Sequence, residues 1–567
     1  MNFTYIQLLE YGTVFPNSRP IDVEETLKKY NREMMVKACV VLDHSYGNCT
    51  FPDNSSPFFS IISKNHIDEI EEVGAKILNA NNGKAVPFCP LRTILELLKV
   101  AFSIPVDEYK NTDKNEDFEW DLFKIILSLN EKLMSYRSDK SDLQLDELTF
   151  LSSYVQNDVT NSDIWSTFQT QTLYANQLFD FLEGVPSAIN LGKKLKQYYG
   201  INDYKQYSRT IQGILALYVD ERSRGEKGCP VLDIDKINDD NVLSQNVIDK
   251  ISMDINAYIP YKSTDAKRDD NVDYRYFRAH PLIHIKDHQY FLYNAQLIIE
   301  RLYNSLFFDL KPLYEGPCFF NFYTKDFVEH YLFDRTMNSC VHRRKYQVVL
   351  PSEDEIKTQQ FNPEVLGQPD FYIRQKCGYL FIIECKGIRL NGELKDKANL
   401  SNLIDEIKNK LYKVKLQKNS CRKKNTPIGI GQLVNVIDGI QHYECTFDNV
   451  DDIPDEVIYY PMIALEDYKL AKSIGLTSMI NRWYNDLMHE KGFTEGYNPI
   501  IIVSIDILMK YGANIKKFGL KRILDKFINA SCTWNSDHSQ WIMSPLADFN
   551  QYMESQYSMS QIINKKY

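Results

Sequence analysis

The stretch Gly367–Gly387, GQPDFYIRQKCGYLFIIECKG, restricts this chain more tightly than any other part of it. Two apolar runs, Phe371–Arg374 and Tyr379–Cys385, are separated by Gln375, Lys376, Cys377 and Gly378. Runs of this kind predict two strands of a hairpin, and Gly378 suits the left-handed position that closes a short loop. A loop centred on Cys377 sets Asp370 opposite Glu384. Side chains alternate along a strand, so Lys386 shares the face of Glu384, while Cys385 points to the buried face, where a small apolar thiol fits. One local hairpin thus gathers two carboxylates and an ammonium.

That grouping has a chemical use. Neighbouring carboxylates repel, and each resists ionising unless a cation is present. Mg²⁺ resolves the conflict, because it prefers hard oxygen ligands and keeps several waters. Mn²⁺ is its natural substitute. Bound there, such an ion polarises a phosphodiester and activates a water, and Lys386 stabilises the charge that develops on the phosphate. The plainer alternative is a cross-strand ion pair on a solvated sheet face.

With Pro369-Asp370 as its first element and Glu384-Cys385-Lys386 as its second, the stretch resembles the PD-(D/E)xK, or restriction-endonuclease-like, nuclease superfamily. The resemblance implies metal ligation by Asp370 and Glu384, a catalytic Lys386, and a core αβββαβ unit with a mixed central sheet. It also implies a further metal-site acid at Glu329, in the helix KDFVEHYLFD, and a catalytic-site glutamine at Gln432, opening the helix GQLVNVIDGI. It covers about 319–464 and has no part in the N-terminal half.

A chain of 567 residues is too long for one ordinary core, so two or three domains are expected. The first 220 or so residues read mainly as helix: Phe118, Leu122, Ile125, Ile126 and Leu129 fall at helical spacing, as do Tyr207, Ile211, Ile214, Leu215 and Tyr218. Ile164–Leu182 is a third helical pattern, stopped by Gly184 and Pro186. The polar segment Ser263–Asp273 reads as a linker. Beyond it, His280–Ile285 and Gln289–Tyr293 suggest a hairpin, Ala295–Phe308 and Asp326–Met337 helices, and Tyr346–Leu350 a strand. Ile430–Ile440 follows as a helix, then Val457–Ala464 and Pro499–Ile507 as buried strands. The expected organisation is multi-domain α+β: a mainly helical domain over 1–265, an α/β nuclease domain over 270–530, and a C-terminal extension over 531–567.

The net charge of −10 excludes an all-over basic coat but leaves room for local basic surface. Lys386 to Lys424 carries 12 Lys or Arg against 4 Asp or Glu. Of these, Lys408, Lys413, Lys415, Arg422, Lys423 and Lys424, with the separate cluster Arg343, Arg344 and Lys345, are candidates to contact a phosphate backbone. A solvated helix and loop is the alternative. His280, His284 and His288 read as structural, since no cysteine or carboxylate completes a tetrahedral set. The N-terminus lacks a signal-peptide pattern, no apolar run spans a bilayer, and 11 cysteines without a CxxC suit a reducing cytoplasm. The sequence therefore points to a cytoplasmic Mg²⁺-dependent nuclease. The resemblance implies DNA over RNA as substrate, because most families with that fold cut DNA, and the N-terminal domain is expected to meet a protein partner or activating ligand. A role in defence against phage or other foreign DNA follows by analogy only. The rivals are a non-catalytic nucleic-acid-binding or assembly protein and a subunit silent until a partner binds.

Overall fold

A computed structural model describes residues 8–43, 50–53, 58, 61, 65–110, 117–135, 143–159, 164–223, 229, 231–236, 243–259, 274–351, 369–390, 400–412, 414–415, 426–444, 447–449, 453–454 and 456–559. The expected linker Ser263–Asp273 lies outside them. The chain is mixed α+β and forms two compact units, one of Met1–Ser138, Gln156–Tyr314 and Gly392–Asn399, the other of Asp139–Val155, Glu315–Asn391 and Leu400–Tyr567.

In the first unit the apolar stripes become the helices Phe118–Ser135, Ile164–Gly184 and Tyr204–Ser223. Phe51, Phe58, Phe88 and Phe123 cluster with ring centroids 4.8 to 6.1 Å apart, so part of the core is aromatic. The predicted hairpin forms as Leu282–Lys286 and Gln289–Leu292, but it belongs here, in a four-stranded sheet completed by Leu232–Asp233 and Ser252–Asp254. The boundary between units therefore falls near Tyr314 and not at 265–270. The expected helix Ala295–Phe308 is broken into Ala295–Glu300 and Leu306–Leu313. Side chains take its backbone groups there: Tyr207 donates to the Arg301 carbonyl at 2.6 Å, and the Asn304 amide donates to Gln171 at 3.0 Å.

The second unit is built on a five-stranded sheet whose strands lie side by side in chain order. They are β1 (Val348–Pro351), β2 (Phe371–Arg374), β3 (Tyr379–Lys386), β4 (Ile458–Leu465) and β5 (Ile501–Ser504). The first three pair antiparallel, and β4 and β5 continue parallel to β3. Helices α1 (Leu400–Leu411) and α2 (Ile430–Gln441) lie in the connection between β3 and β4. A long helix precedes β1, π-helical over Phe322–Phe333 and α-helical over Asp334–Cys340.

Alternation separates the two faces of the sheet. Phe333 of the long helix meets Phe371, and Tyr460 stacks on Phe381, so that helix covers the face of Phe381, Ile383 and Cys385. On the other face Tyr459, level with Leu380, donates to Gln441 of α2, and Tyr372 packs on Phe447. Glu384 and Lys386 belong to this second face.

Two expectations in the C-terminal part are corrected. Pro499–Ile507 is not one strand. It ends at Ser504, whose extended backbone opens α3 (Ile505–Phe518), with Asp506 in the first turn, where an acid favours helix. An apolar run cannot by itself tell the end of a buried strand from the start of a buried helix. Nor do the described residues 532–556 form an extension, since α4 (Leu520–Ser531) leads into the hairpin Cys532–Asn535/Gln540–Met543 and the helix Phe549–Gln556. Asn550 accepts from the Ser504 amide at 2.8 Å and donates to the Ala471 carbonyl at 2.9 Å, and Phe549 packs on Phe527. This tail is core.

Candidate functional site

The β2–β3 hairpin has the register its sequence predicts: Phe371 pairs with Ile383, Tyr372 with Ile382 and Ile373 with Phe381. The loop is Lys376, Cys377 and Gly378, closed by Gln375 and Tyr379 through a 3.0 Å backbone bond. Gly378 sits at φ +75°, and a Cβ there would come within 2.4 Å of the Glu456 carbonyl oxygen. Gly378→Ala should therefore lower stability by about 2 kcal/mol or more, from left-handed strain plus a backbone clash. Thermal unfolding measures it, and a melting temperature equal to the parent's would discount this account of the turn.

The register brings Asp370, Glu384 and Lys386 together. Lys386 Nζ stands 2.8 Å from Glu384 Oε2 and 3.6 Å from Asp370 Oδ2, and Asp370 Oδ2 accepts from the Cys385 amide at 2.7 Å. The groups are not on a solvated face, as a surface ion pair would be. The Glu384 side chain is 0% exposed, against 17% for Asp370 and 20% for Lys386. Glu384 Oε1 is buried with no hydrogen-bond partner among the described residues. Burial and the like charge of Asp370 hold the Glu384 carboxyl well above the usual carboxylate range, although Lys386 pulls it down. Burial also works against the Lys386 ammonium, but Asp370, Glu384 and Glu329 outweigh it and keep the lysine protonated beyond its ordinary range. Burial pushes the Cys385 thiol far up, so it packs as a small apolar group on the opposite face.

A buried carboxylate oxygen with no donor is expensive to keep. Together with the second carboxylate beside it, Oε1 offers hard anionic oxygens of the kind Mg²⁺ and Mn²⁺ take. The donor set is chemically compatible with such an ion, and Asp370 and Glu384 are the residues that would hold it. Among the described residues no group of three or more His, Cys, Asp and Glu side chains lies at metal-holding spacing. Glu329 thus does not complete a three-acid set here, though its charge reaches Lys386 and Cys385 from the π-helical stretch. Gln432 is half-buried in the first turn of α2, on the helix that covers the Glu384 face.

The basic candidates are more dispersed. Lys408 stands over the Trp483 ring at 5.3 Å, and its neighbour Lys410 pairs with Glu406 at 2.7 Å and donates to the Arg389 carbonyl. Lys413, Arg422, Lys423 and Lys424 lie outside the described residues, as does the side chain of Lys415. Arg343, Arg344 and Lys345 are exposed in a short 3₁₀ turn before β1, with Arg343 donating to Asn338 at 2.9 Å. The three histidines do not converge: His280 bonds the Tyr276 carbonyl, His284 the Asp287 carbonyl and His288 the Asp235 carboxylate.

Sequence reasoning missed a buried acid beside Lys386. Glu466, one residue beyond β4, has its amide 3.3 Å from the Lys386 carbonyl, and its carboxylate accepts from Arg389 at 2.8 Å. Arg389 also donates to Tyr323 of the long helix at 3.0 Å, so these groups clamp the carboxyl end of β3 to its neighbours. The only trace in the sequence is an acid directly following the apolar run IYYPMIAL. No family model, curated protein or solved structure matches the chain.

Proposed function

We propose that this chain is a metal-dependent nuclease that hydrolyses phosphodiester bonds of DNA, with Asp370, Glu384 and Lys386 as its working groups. The observation that carries this reading is the convergence of the three side chains at buried Glu384, whose Oε2 meets Lys386 and whose Oε1 is left without a hydrogen bond. Sheet order and direction add support. Three antiparallel strands, a helical connection and a parallel fourth strand, preceded by a helix bearing Glu329, are what the αβββαβ resemblance implies.

A divalent cation held by Asp370 and Glu384 supplies Lewis acidity toward a phosphoryl oxygen and a water. The protein's own groups do the rest. Asp370 is fixed by the Cys385 amide, and Glu384 by the strand that buries it. Lys386, whose ammonium form its acidic neighbours favour, is a ready cation for negative charge growing on the phosphate.

Calorimetric titration with Mn²⁺, paired with plasmid cleavage, tests the proposal. The parent should bind Mn²⁺ and lose cleavage in EDTA, while Asp370→Asn and Glu384→Gln should each bind at least about tenfold more weakly, having lost an anionic ligand. Cleavage that persists in EDTA, or a parent that does not bind Mn²⁺, would remove the basis of the reading.

A further inference from the structure

At the loop end of the β2–β3 hairpin, an open cavity of about 420 Å³ is lined by cations from two distant parts of the chain. Lys345 comes from the turn before β1, and Lys521, Arg522 and Lys526 from α4. Asp525 is the one acid in its lining. It is already committed, to Lys521 at 2.6 Å and to the Tyr460 hydroxyl at 2.7 Å. Lys345, Arg522 and Lys526 are exposed, and among the described residues none brings a carboxylate to them. Tyr346 and Phe518, the latter 38% exposed, add aromatic walls.

Uncompensated cations beside partly exposed rings, Phe518 also packing on Tyr557 with Lys517 over it, suit one kind of ligand well. Phosphates take the cations, and bases take the ring faces. The volume falls in the range of sites for small organic groups and would hold a nucleotide unit. Its position separates it from the candidate catalytic centre. Lys521 Nζ stands 4.4 Å from the ring centroid of Tyr379, the first residue of β3, whereas Lys386 is the last. Tyr379 also points to the face opposite Glu384. A strand bound here is anchored away from the cutting point.

We propose that this groove is a second, non-cleaving contact for single-stranded polynucleotide. The choice of polymer rests on the nuclease reading, but the groove is tested without cleavage. The variant Arg522→Glu/Lys526→Glu changes two exposed positions of α4 and leaves its buried stripe of Ile523, Leu524 and Phe527 intact. Binding is read by fluorescence anisotropy in EDTA, with a fluorescein-labelled DNA oligonucleotide of about twenty nucleotides as the probe. Affinity should fall at least about tenfold, and the slope of log affinity against log salt should flatten by about 1.4, for two lost single-strand phosphate contacts. Arg522→Ala/Lys526→Ala, which adds no repulsion and suits a helix, should show the same direction with a smaller loss. Parental affinity and slope in both α4 variants would overturn the groove, whatever their nuclease activity; absent cleavage with binding still sensitive to these variants would count against the catalytic reading alone. Inorganic phosphate at matched phosphate concentration should leave the complex intact, and displacement equal to that by unlabelled oligonucleotide would overturn the polymer assignment.

Discussion

Lys386→Ala should slow metal-dependent plasmid cleavage at least about 10²-fold, the usual effect of removing one preorganised transition-state stabiliser. The lysine is the cation placed between the two carboxylates, 2.8 Å from one and 3.6 Å from the other, and its side chain is 20% exposed, enough to meet a substrate phosphate. The fold should survive the change. Burial and the nearby Asp370 already raise the Glu384 carboxyl above the usual carboxylate range, so losing the lysine costs this site less than it would cost a pair of fully ionised partners. Lys386→Met, which keeps most of the aliphatic stem, should show the same loss of rate with parental melting behaviour. Equal cleavage by parent and both variants would mean that the lysine has been given the wrong role.

Asp506→Asn should cost about 3–5 kcal/mol of stability, the range for breaking a buried pair from one side. Asp506 is 0% exposed and accepts from Lys510 at 2.9 Å, Lys472 at 3.2 Å and the Ser504 hydroxyl. The Lys510 side chain is itself 3% exposed, so a neutral residue at 506 leaves an ammonium in the core without its countercharge. Burial opposes ionisation of Asp506, yet Lys472 and Lys510 overcome it and hold the carboxyl far below its usual range. A depressed carboxylate contributes stability that is complete above its unfolded value and fades as pH falls toward its folded one. The gap between parent and variant in urea unfolding should therefore be constant from neutral pH down to about pH 5, then narrow below about pH 4. A gap under about 1 kcal/mol at pH 7 would show that the two lysines find other partners.

The candidate site was largely legible in the sequence because its information is local. Gly378 fixes the loop, the loop fixes the register, and the register decides which side chains face each other. Helical stripes such as Phe118–Leu129 were legible for a similar reason, since the period of the apolar residues is a property of a short window. What failed depended on partners remote in sequence. Nothing near Asn304 announces that Gln171 will take its amide and break a helix. Glu466 and Asp506 look like ordinary polar residues until Arg389, Lys472 and Lys510 are found around them. The unit boundary was misplaced for the same reason, because the Leu282–Leu292 hairpin owes its membership to strands at 232–233 and 252–254.

The long-range economy of the hairpin bears on how any control over this chain would have to work. Both acids and the lysine are supplied within seventeen consecutive positions, 370 to 386, and the loop that aligns them is closed by its own backbone. Such a constellation needs no second body to assemble it. If the proposed activity holds, an inhibitor or activator acting through another part of the protein would thus operate on traffic, by covering or uncovering the mouth of the site, and would leave the three side chains aligned.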